Sequence, residues 1–420
     1  MAMVFISHSK AEAEEDQLND HSVRQRVKER LRRRGWSVKV DEDDLAGGVE
    51  WKPTLYFWLA DCDAAIVMLH RNSLDSDWLK READLLLWRR ALGARLTIVP
   101  VLLKGLTSGD VRHSRLADLV DLQYVAQKSL TPECSDIADL AAELLPDLTA
   151  SVLSGDDASA LRTWSNKIIA CLETVSHEDP LRGAARALGA LDWAFPTLTE
   201  GHRYVAHQFL GHVPPEHVYS ALKTVADHLD SDALRRLTGL VLPAWIDPAA
   251  VRRLLPDGGP VVATLDSARG TTADQHVRRA SCCSRDYWTA TVTLAAGEAQ
   301  EREFMRDCMD AVRDLLHLPD DESPDEYEPL GDDVVFLVID PHGADLRDVG
   351  ALVRRLTERL PWLNVIVLAQ DMGTTGLGEQ PHRVVHLPMD REDEKTMRRT
   401  EVALTKLIKE READGRWLAS

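Results

Sequence analysis

The stretch "AAIVMLHRNSLDSDWLKREADLLL", residues 64–87, decides the fold. Its first six residues are an unbroken apolar run, short and aliphatic, as expected of a strand covered on both faces. Polar, turn-forming residues follow, and a helix begins near Trp78. Strand, short connection and helix in that order make one unit of a parallel sheet.

The same alternation runs outward in both directions across the first 147 residues. Further strands are expected at "MVFI" (3–6), "WSVKV" (36–40), "LTIVPVLL" (96–103) and "LQYVA" (122–126). Between the first two, Val23, Val27 and Leu31 recur every four residues and mark an amphipathic helix that Gly35 can end. "SDIADLAAELLPDL" closes the unit as its last helix.

At about 150 residues per domain, a chain of 420 residues holds several cores. The small, polar stretch "TASVLSGDDAS" (149–159) is the expected linker, so the first domain spans 1–148. Residues 160–256 read as helices broken by Gly and Pro, a region in which the sequence offers no chemistry. From 257 to 420 strands return at "VVATLDS" (261–267), "YWTATVTL" (287–294), "VVFLVID" (334–340), "LNVIVLAQ" (363–370) and "HRVVHLP" (382–388). Between them, Leu346, Val349, Leu352, Val353 and Leu356 form the inward face of a helix. A second α/β unit is therefore expected, with the acidic loop "PDDESPDEYEPLGDD" (319–333) on its surface.

The formal net charge of −19 sets a field that repels nucleic acid and anionic membranes. A basic run from Lys28 to Arg34 reads as a solvated helix face. Six cysteines lie scattered without a C-x-x-C pair, which argues against a disulfide framework or a zinc ribbon and fits a reducing cytoplasm. The first residues have no secretory pattern, and no stretch approaches the ~20 apolar residues of a membrane span. The expected partners are proteins or small molecules.

Four pieces then fall in one order: "VFISHS" on the first strand, "SVKVDEDDLAGGVEW" around the second, "CDAAIVMLHRNSLDSDW" around the third and "IVPVLL" on the fourth. Together they resemble the TIR domain in its bacterial form, over about a third of the chain. The resemblance implies a flavodoxin-like parallel sheet. It places Phe5, Ile6, Ser7, His8 and Ser9 in the first TIR box, Asp41 at the end of the second strand, and Leu45, Gly47, Gly48 and Trp51 in the BB loop. Asn72, Ser73 and Ser76 precede the third helix. Trp78 and Glu82 match the family's Trp-x-x-x-Glu, in which the glutamate is catalytic in the TIR domains that cleave NAD+. One departure stands out: His70 and Arg71 follow the third strand where the family often has Ser.

The residues themselves support one site. Ligands of open α/β sheets bind beyond the carboxyl ends of the strands, where Ser7, Asp41 and residues 70–76 converge. Positions four apart on a helix differ by about 40° around its axis, so Trp78 and Glu82 share a face. There the indole can exclude water, raise the carboxyl pKa and offer a surface for a planar ring. Cleavage of the nicotinamide–ribose bond resembles glycoside hydrolysis through an oxocarbenium-like transition state. Nicotinamide departs from a nitrogen that already carries positive charge, so one carboxylate suffices, to hold the ribose hydroxyls and stabilise developing charge. The expectation is an NAD+ nucleosidase, hydrolysing or cyclising, with Glu82 catalytic and with Ser7, His8, Ser9, Asp41, Trp51, Ser73 and Trp78 around the dinucleotide. NAD+ is then the substrate, and neither cofactor nor metal is called for.

By the same resemblance, such enzymes act in bacterial anti-phage defence and are switched on by self-association. Here that assembly is expected to involve the TIR domain and the C-terminal half, with a sensor or activator protein as a further partner. The blander reading makes Trp78 a packed aromatic and Glu82 a solvated acid. A scaffold that recruits another TIR protein is the alternative function, and a module that binds a cyclic nucleotide or an NAD-derived ligand without turnover is a third.

Other signals are weaker. His202, His207, His212 and His217 repeat every five residues, a step of about 140° on a helix that points successive imidazoles apart. Adjacent Cys282 and Cys283 read as small buried residues. "VVFLVID" ending in Asp340 looks like a Walker-B strand, yet no G-x-x-x-x-G-K-[ST] accompanies it. The region from residue 240 onward faintly resembles the P-loop-less STAND-type modules attached to bacterial effectors, which implies a sensing or docking half.

Overall fold

The computed structural model describes residues 2–8, 14–40, 51–103, 105–126, 134–146, 160–189, 197–255, 259–294, 300–319, 322–327, 333–342, 344–369 and 377–418. The chain divides into two units. The first is built on residues 1–165 joined by 206–211, and the second on 166–190, 195–205 and 212–420, so that the boundary falls within the helix at Leu198–Gln208. The linker expected at 149–159 lies outside the described residues, as do Ser9, Asp41 and residues 42–50 of the expected BB loop; Trp51, expected in that loop, instead begins a helix.

In the first unit, strands β1 (Met3–Ser7), β2 (Ser37–Val40), β3 (Ala64–Leu69), β4 (Thr97–Leu102) and β5 (Val125–Ala126) form one sheet in the order β2-β1-β3-β4-β5. All four pairings are parallel. This is the flavodoxin-like order, which has its switch point between β1 and β3. The central strand β3 is buried along its whole length, as its unbroken apolar run requires. The five-residue run "LQYVA" yields only two paired residues, Val125 and Ala126, which meet Val101 and Leu102 at the end of β4 and form the edge of the sheet.

Helices α1 (Glu14–Arg33), α2 (Trp51–Asp61), α3 (Asp77–Ala91) and α4 (Cys134–Glu143) cover the sheet. Side chains alternate along a strand. Val4, Ile6, Ile66, Met68, Val99 and Val101 therefore share one core with Val23, Val27 and Leu31 of α1 and Ala141 of α4. Phe5 and Ser7 take the opposite face, where Phe5 lies 6.4 Å from the Trp58 ring of α2. The basic run of α1 is not simply solvated. Arg30 pairs with Asp139 at 3.1 Å, and Arg34 donates to the Ala142 and Leu145 carbonyls, so the run ties α1 to the neighbouring helix.

Helix α5 (Ala160–Leu172) begins in this unit. Its Trp164 is fully buried and meets Trp88 of α3 edge to face, with centroids 6.3 Å apart. Arg162 pairs with Asp61 at the end of α2 at 2.6 Å.

In the second unit, helices α6 (Glu178–Ala187), α7 (Leu198–Gln208), α8 (Pro215–Val225) and α9 (Ser231–Val241) precede a second parallel sheet. Its strands are β6 (Val261–Leu265), β7 (Tyr287–Thr293), β8 (Val334–Asp340), β9 (Asn364–Leu368) and β10 (Arg383–Leu387), ordered β10-β6-β9-β8-β7. Helices α10 (Gly270–Ala280), α11 (Gln300–Leu316), α12 (Leu346–Arg359) and α13 (Arg391–Leu418) complete it. Leu346, Val349, Leu352, Val353 and Leu356 of α12 are all buried. Within the acidic loop, Asp325 is held by Arg359 at 2.6 Å, so part of that segment is pinned to α12. Cys62, Cys171, Cys282, Cys283 and Cys308 are free thiols. No helix among the described residues is long and apolar enough to cross a membrane.

Helix α10 carries a fully buried imidazole. His276 Nδ1 lies 2.8 Å from the Thr272 carbonyl and donates to it, leaving Nε2 without a partner. Burial pushes its pKa from 6.5 down to about 4, because a charged ring would have no solvent around it. Between those values the unfolded chain binds the proton and the folded chain does not. The contribution to stability is thus complete above pH 6.5 and lost as pH falls toward 4, about 3 kcal/mol in all. Urea unfolding at several pH values should show this loss in the wild type and a flatter profile in His276→Gln. Equal slopes would refute the assignment.

Candidate active site

The connection from β3 to α3 is built from its own side chains. A 3-10 turn spans Arg71–Asp75, and the Ser73 hydroxyl both donates to the His70 carbonyl at 2.7 Å and accepts the His70 N–H at 2.9 Å. Ser76 then caps α3, its hydroxyl accepting the Leu79 N–H at 3.2 Å. These two devices fix where α3 starts, and so which of its faces meets the sheet. Ion pairs of Asp77 with Arg115 at 2.5 Å and of Arg71 with Asp110 at 3.9 Å flank the turn. Both are exposed and add little to stability.

That phase turns Glu82 inward. Its carboxylate is fully buried. Oε1 accepts the indole N–H of Trp78 at 2.5 Å, and Oε2 accepts the hydroxyl of Ser7 from the carboxyl end of β1. The sheet's period of two places Ser7 on the α3 face, while the helix's step of four sets the indole beside the acid. A carboxylate taken out of water needs donors on its oxygens, and here a hydroxyl and an indole supply them.

Trp78 is half-buried, and its ring lies 6.1 Å from that of Tyr56 on α2 at an interplanar angle of 57°. Tyr56 is itself buried, and Gly211 comes close to it: a Cβ at Gly211 would stand 2.8 Å from its hydroxyl, so a larger residue there would push the ring aside. Tyr56 supports Trp78, and Trp78 holds Glu82.

Of the residues expected here, the structure brings together Ser7, Trp78 and Glu82. His8 goes elsewhere. It follows Ser7 directly, turns to the other face and meets Arg24 of α1, whose second guanidinium nitrogen lies 3.2 Å from His21 Nδ1. The Ser73 hydroxyl is engaged within its own turn. Trp51 opens α2, but its side chain, like Ser9 and Asp41, lies outside the described residues. Tyr56 was missed by sequence reasoning, which singled out Trp51 on the same helix. Five helical positions turn the face by about 140°, so the two rings are not interchangeable. The one available signal was the apolar stripe on which Tyr56 sits with Leu55 and Leu59, and core packing also produces such a stripe.

His202 donates from Nε2 to the Val175 carbonyl at 3.0 Å, and no cluster of three or more His, Cys, Asp or Glu ligands occurs among the described residues.

Compared with known proteins, residues 4–136 match the family model described as TIR domain. That segment is a TIR domain, within the sheet and helices of the first unit. No curated protein matches the chain. Among solved structures, it is similar to the TIR domains of the activated Roq1 resistosome directly recognizing the pathogen effector XopQ. The identity is 13%, over 34% of this chain and 98% of that one, with a TM-score of 0.28.

Proposed function

We propose that the TIR domain cleaves NAD+ between nicotinamide and ribose, with Glu82 as the catalytic carboxylate. The observation that carries this reading is the setting of Glu82: a buried acid beside the carboxyl end of β1, accepting one alcohol O–H from Ser7 and one N–H from Trp78. A carboxylate placed to accept the hydroxyl of a serine is placed to accept the hydroxyl of a ribose. With the sugar so held, the same negative charge faces the carbon that turns oxocarbenium-like as neutral nicotinamide leaves. Water attacking that carbon gives ADP-ribose, and an internal nucleophile of the dinucleotide gives a cyclic product.

In this conformation Glu82 is enclosed, so substrate must displace what covers it. A resting enzyme that opens on assembly fits this requirement. Self-association through the TIR domain, helped by the C-terminal half and by a sensor or activator protein, would be the switch, in keeping with a role in bacterial anti-phage defence. The expected result is a specific activity, read as nicotinamide released from NAD+, that climbs with protein concentration as oligomers form. Constant specific activity from dilute monomer to concentrated oligomer would refute control by assembly.

The same enclosure favours a second reading. An acid with both oxygens engaged is also what a purely structural carboxylate looks like, and a TIR scaffold that recruits another TIR protein needs no more. Oligomers that release no nicotinamide under any condition would select the scaffold.

A further inference from the structure

Within the second unit lies a cleft of about 620 Å³, bounded by α5, α9, the end of α10 and the turn that follows it. Lys167, Arg236, Arg278 and Arg285 converge on it, and Asp230 is the one carboxylate in its wall. Asp230 is engaged as the cap of α9, accepting the Ala233 N–H at 2.6 Å. A fifth cation, Arg235, is neutralised by Asp232 at 2.7 Å and by Glu412. The other four have no carboxylate partner among the described residues. Arg278 donates to the Gly239 carbonyl at 2.6 Å and Lys167 to the Cys283 carbonyl at 3.5 Å, whereas Arg236 and Arg285 make no hydrogen bond or ion pair there.

Unpaired like charges repel, and a chain of net charge −19 has acids in surplus with which to pair them. This cleft leaves them unmatched. Its backbone is also held under strain. Cys282 and Cys283, neither of them glycine, adopt consecutive left-handed conformations at φ 51° and 52°. That double turn reverses the chain after α10, so that Arg278 and Arg285 line the same cavity. Strain of this kind persists where the surrounding structure enforces it, and it concentrates at binding sites. The thiols of Cys171 and Cys283 line the cleft as neutral walls, since burial pushes both up, against the pull of Arg236 and Arg278 respectively. With Ala233 and Leu240 they give it an apolar side.

We propose that this cleft binds a phosphate-bearing small molecule of nucleoside di- or triphosphate size, its phosphates taken by Arg236, Arg278, Arg285 and Lys167 and its body lying against Leu240 and Cys283. The volume falls within the range of small-molecule sites. Guanidinium forks take phosphate oxygens in bidentate pairs, and a di- or triphosphate offers several such oxygens and more negative charge within one compact group than a single peptide carboxylate does. The alternative location, the carboxyl end of β6 at the start of α10, is already filled: Glu394 of α13 accepts the hydroxyls of Ser267 at 2.5 Å and Thr272 at 2.6 Å. The chain's own acid sits where a phosphate would otherwise meet that helix start.

The test is calorimetric titration of the full chain with inorganic tripolyphosphate, ATP, adenosine and poly-glutamate, read without any NAD+ turnover. Arg236→Glu/Arg285→Glu inverts the cleft, and Arg302→Glu/Arg398→Glu, at exposed positions elsewhere in the unit, makes the same change in net charge. Tripolyphosphate and ATP should each bind once per chain, more weakly as salt rises, and adenosine should not bind. The cleft variant should lose about tenfold or more in affinity while the control keeps it. The proposal is overturned if neither phosphate probe binds at about 1 mM at low salt, or if both variants weaken binding equally. Binding of poly-glutamate alone would overturn it in favour of an acidic polypeptide.

Discussion

Glu82→Gln leaves the TIR domain folded and lowers nicotinamide release from NAD+ by on the order of 10²–10⁴-fold. Glutamine keeps the shape and one acceptor. Its carbonyl oxygen can take the Trp78 N–H, and its amide can face the Ser7 oxygen, so the hydrogen bonds now made at 2.5 Å and by the hydroxyl persist in altered form. What disappears is the negative charge opposite the ribose. Glu82→Ala is the poorer test, because it strands the buried Ser7 hydroxyl, at about 1–3 kcal/mol, and leaves the half-buried Trp78 N–H without this acceptor, which confuses stability with chemistry. Trp78→Phe should fall between: the ring remains against Tyr56, the N–H is lost, and turnover drops by about tenfold as the carboxylate loosens. Thermal melts of the three proteins beside their initial rates make the comparison. A Glu82→Gln protein as active as the wild type would remove Glu82 from the chemistry.

Trp164→Ala destabilises the first unit by about 3–5 kcal/mol, the usual cost of removing a fully buried aromatic. Trp164 lies beyond the expected end of the TIR domain at residue 148, yet it packs edge to face on Trp88 of α3, the helix that carries Glu82. The loss should register as faster amide exchange across residues 77–91 and as a melting temperature lowered by about 10 °C for that unit. A chain ended at residue 148 should behave like the substitution, since it too lacks this ring. Unchanged exchange in α3 would mean that Trp164 contributes nothing to it.

Much of the fold was legible because its strands are short apolar runs separated by polar connections, and because Val23, Val27 and Leu31 keep a helical step. The shortness of β5 was not legible: "LQYVA" has strand composition throughout, yet only Val125 and Ala126 pair, although β4 runs back to Thr97 alongside the rest of the run. In the site, the spacing of Trp78 and Glu82 was readable from helix geometry alone. The direction of the indole N–H was not, because it depends on a rotamer set by Tyr56 on another helix. The divergence of Ser7 and His8 follows from strand alternation, which sends neighbours to opposite faces. The engagement of the Ser73 hydroxyl within its own turn left no local sign in the sequence. The basic cleft left no trace in the sequence, since Lys167, Arg236, Arg278 and Arg285 come from three separate segments and each reads singly as a solvated charge.

The central claim is tested most directly by following free nicotinamide while concentrated, oligomeric full-length protein is incubated with NAD+, with Glu82→Gln in parallel. The account predicts steady release by the wild type and near-background release by the variant at equal oligomer content. Intact NAD+ in both samples, or equal release from both, would contradict it.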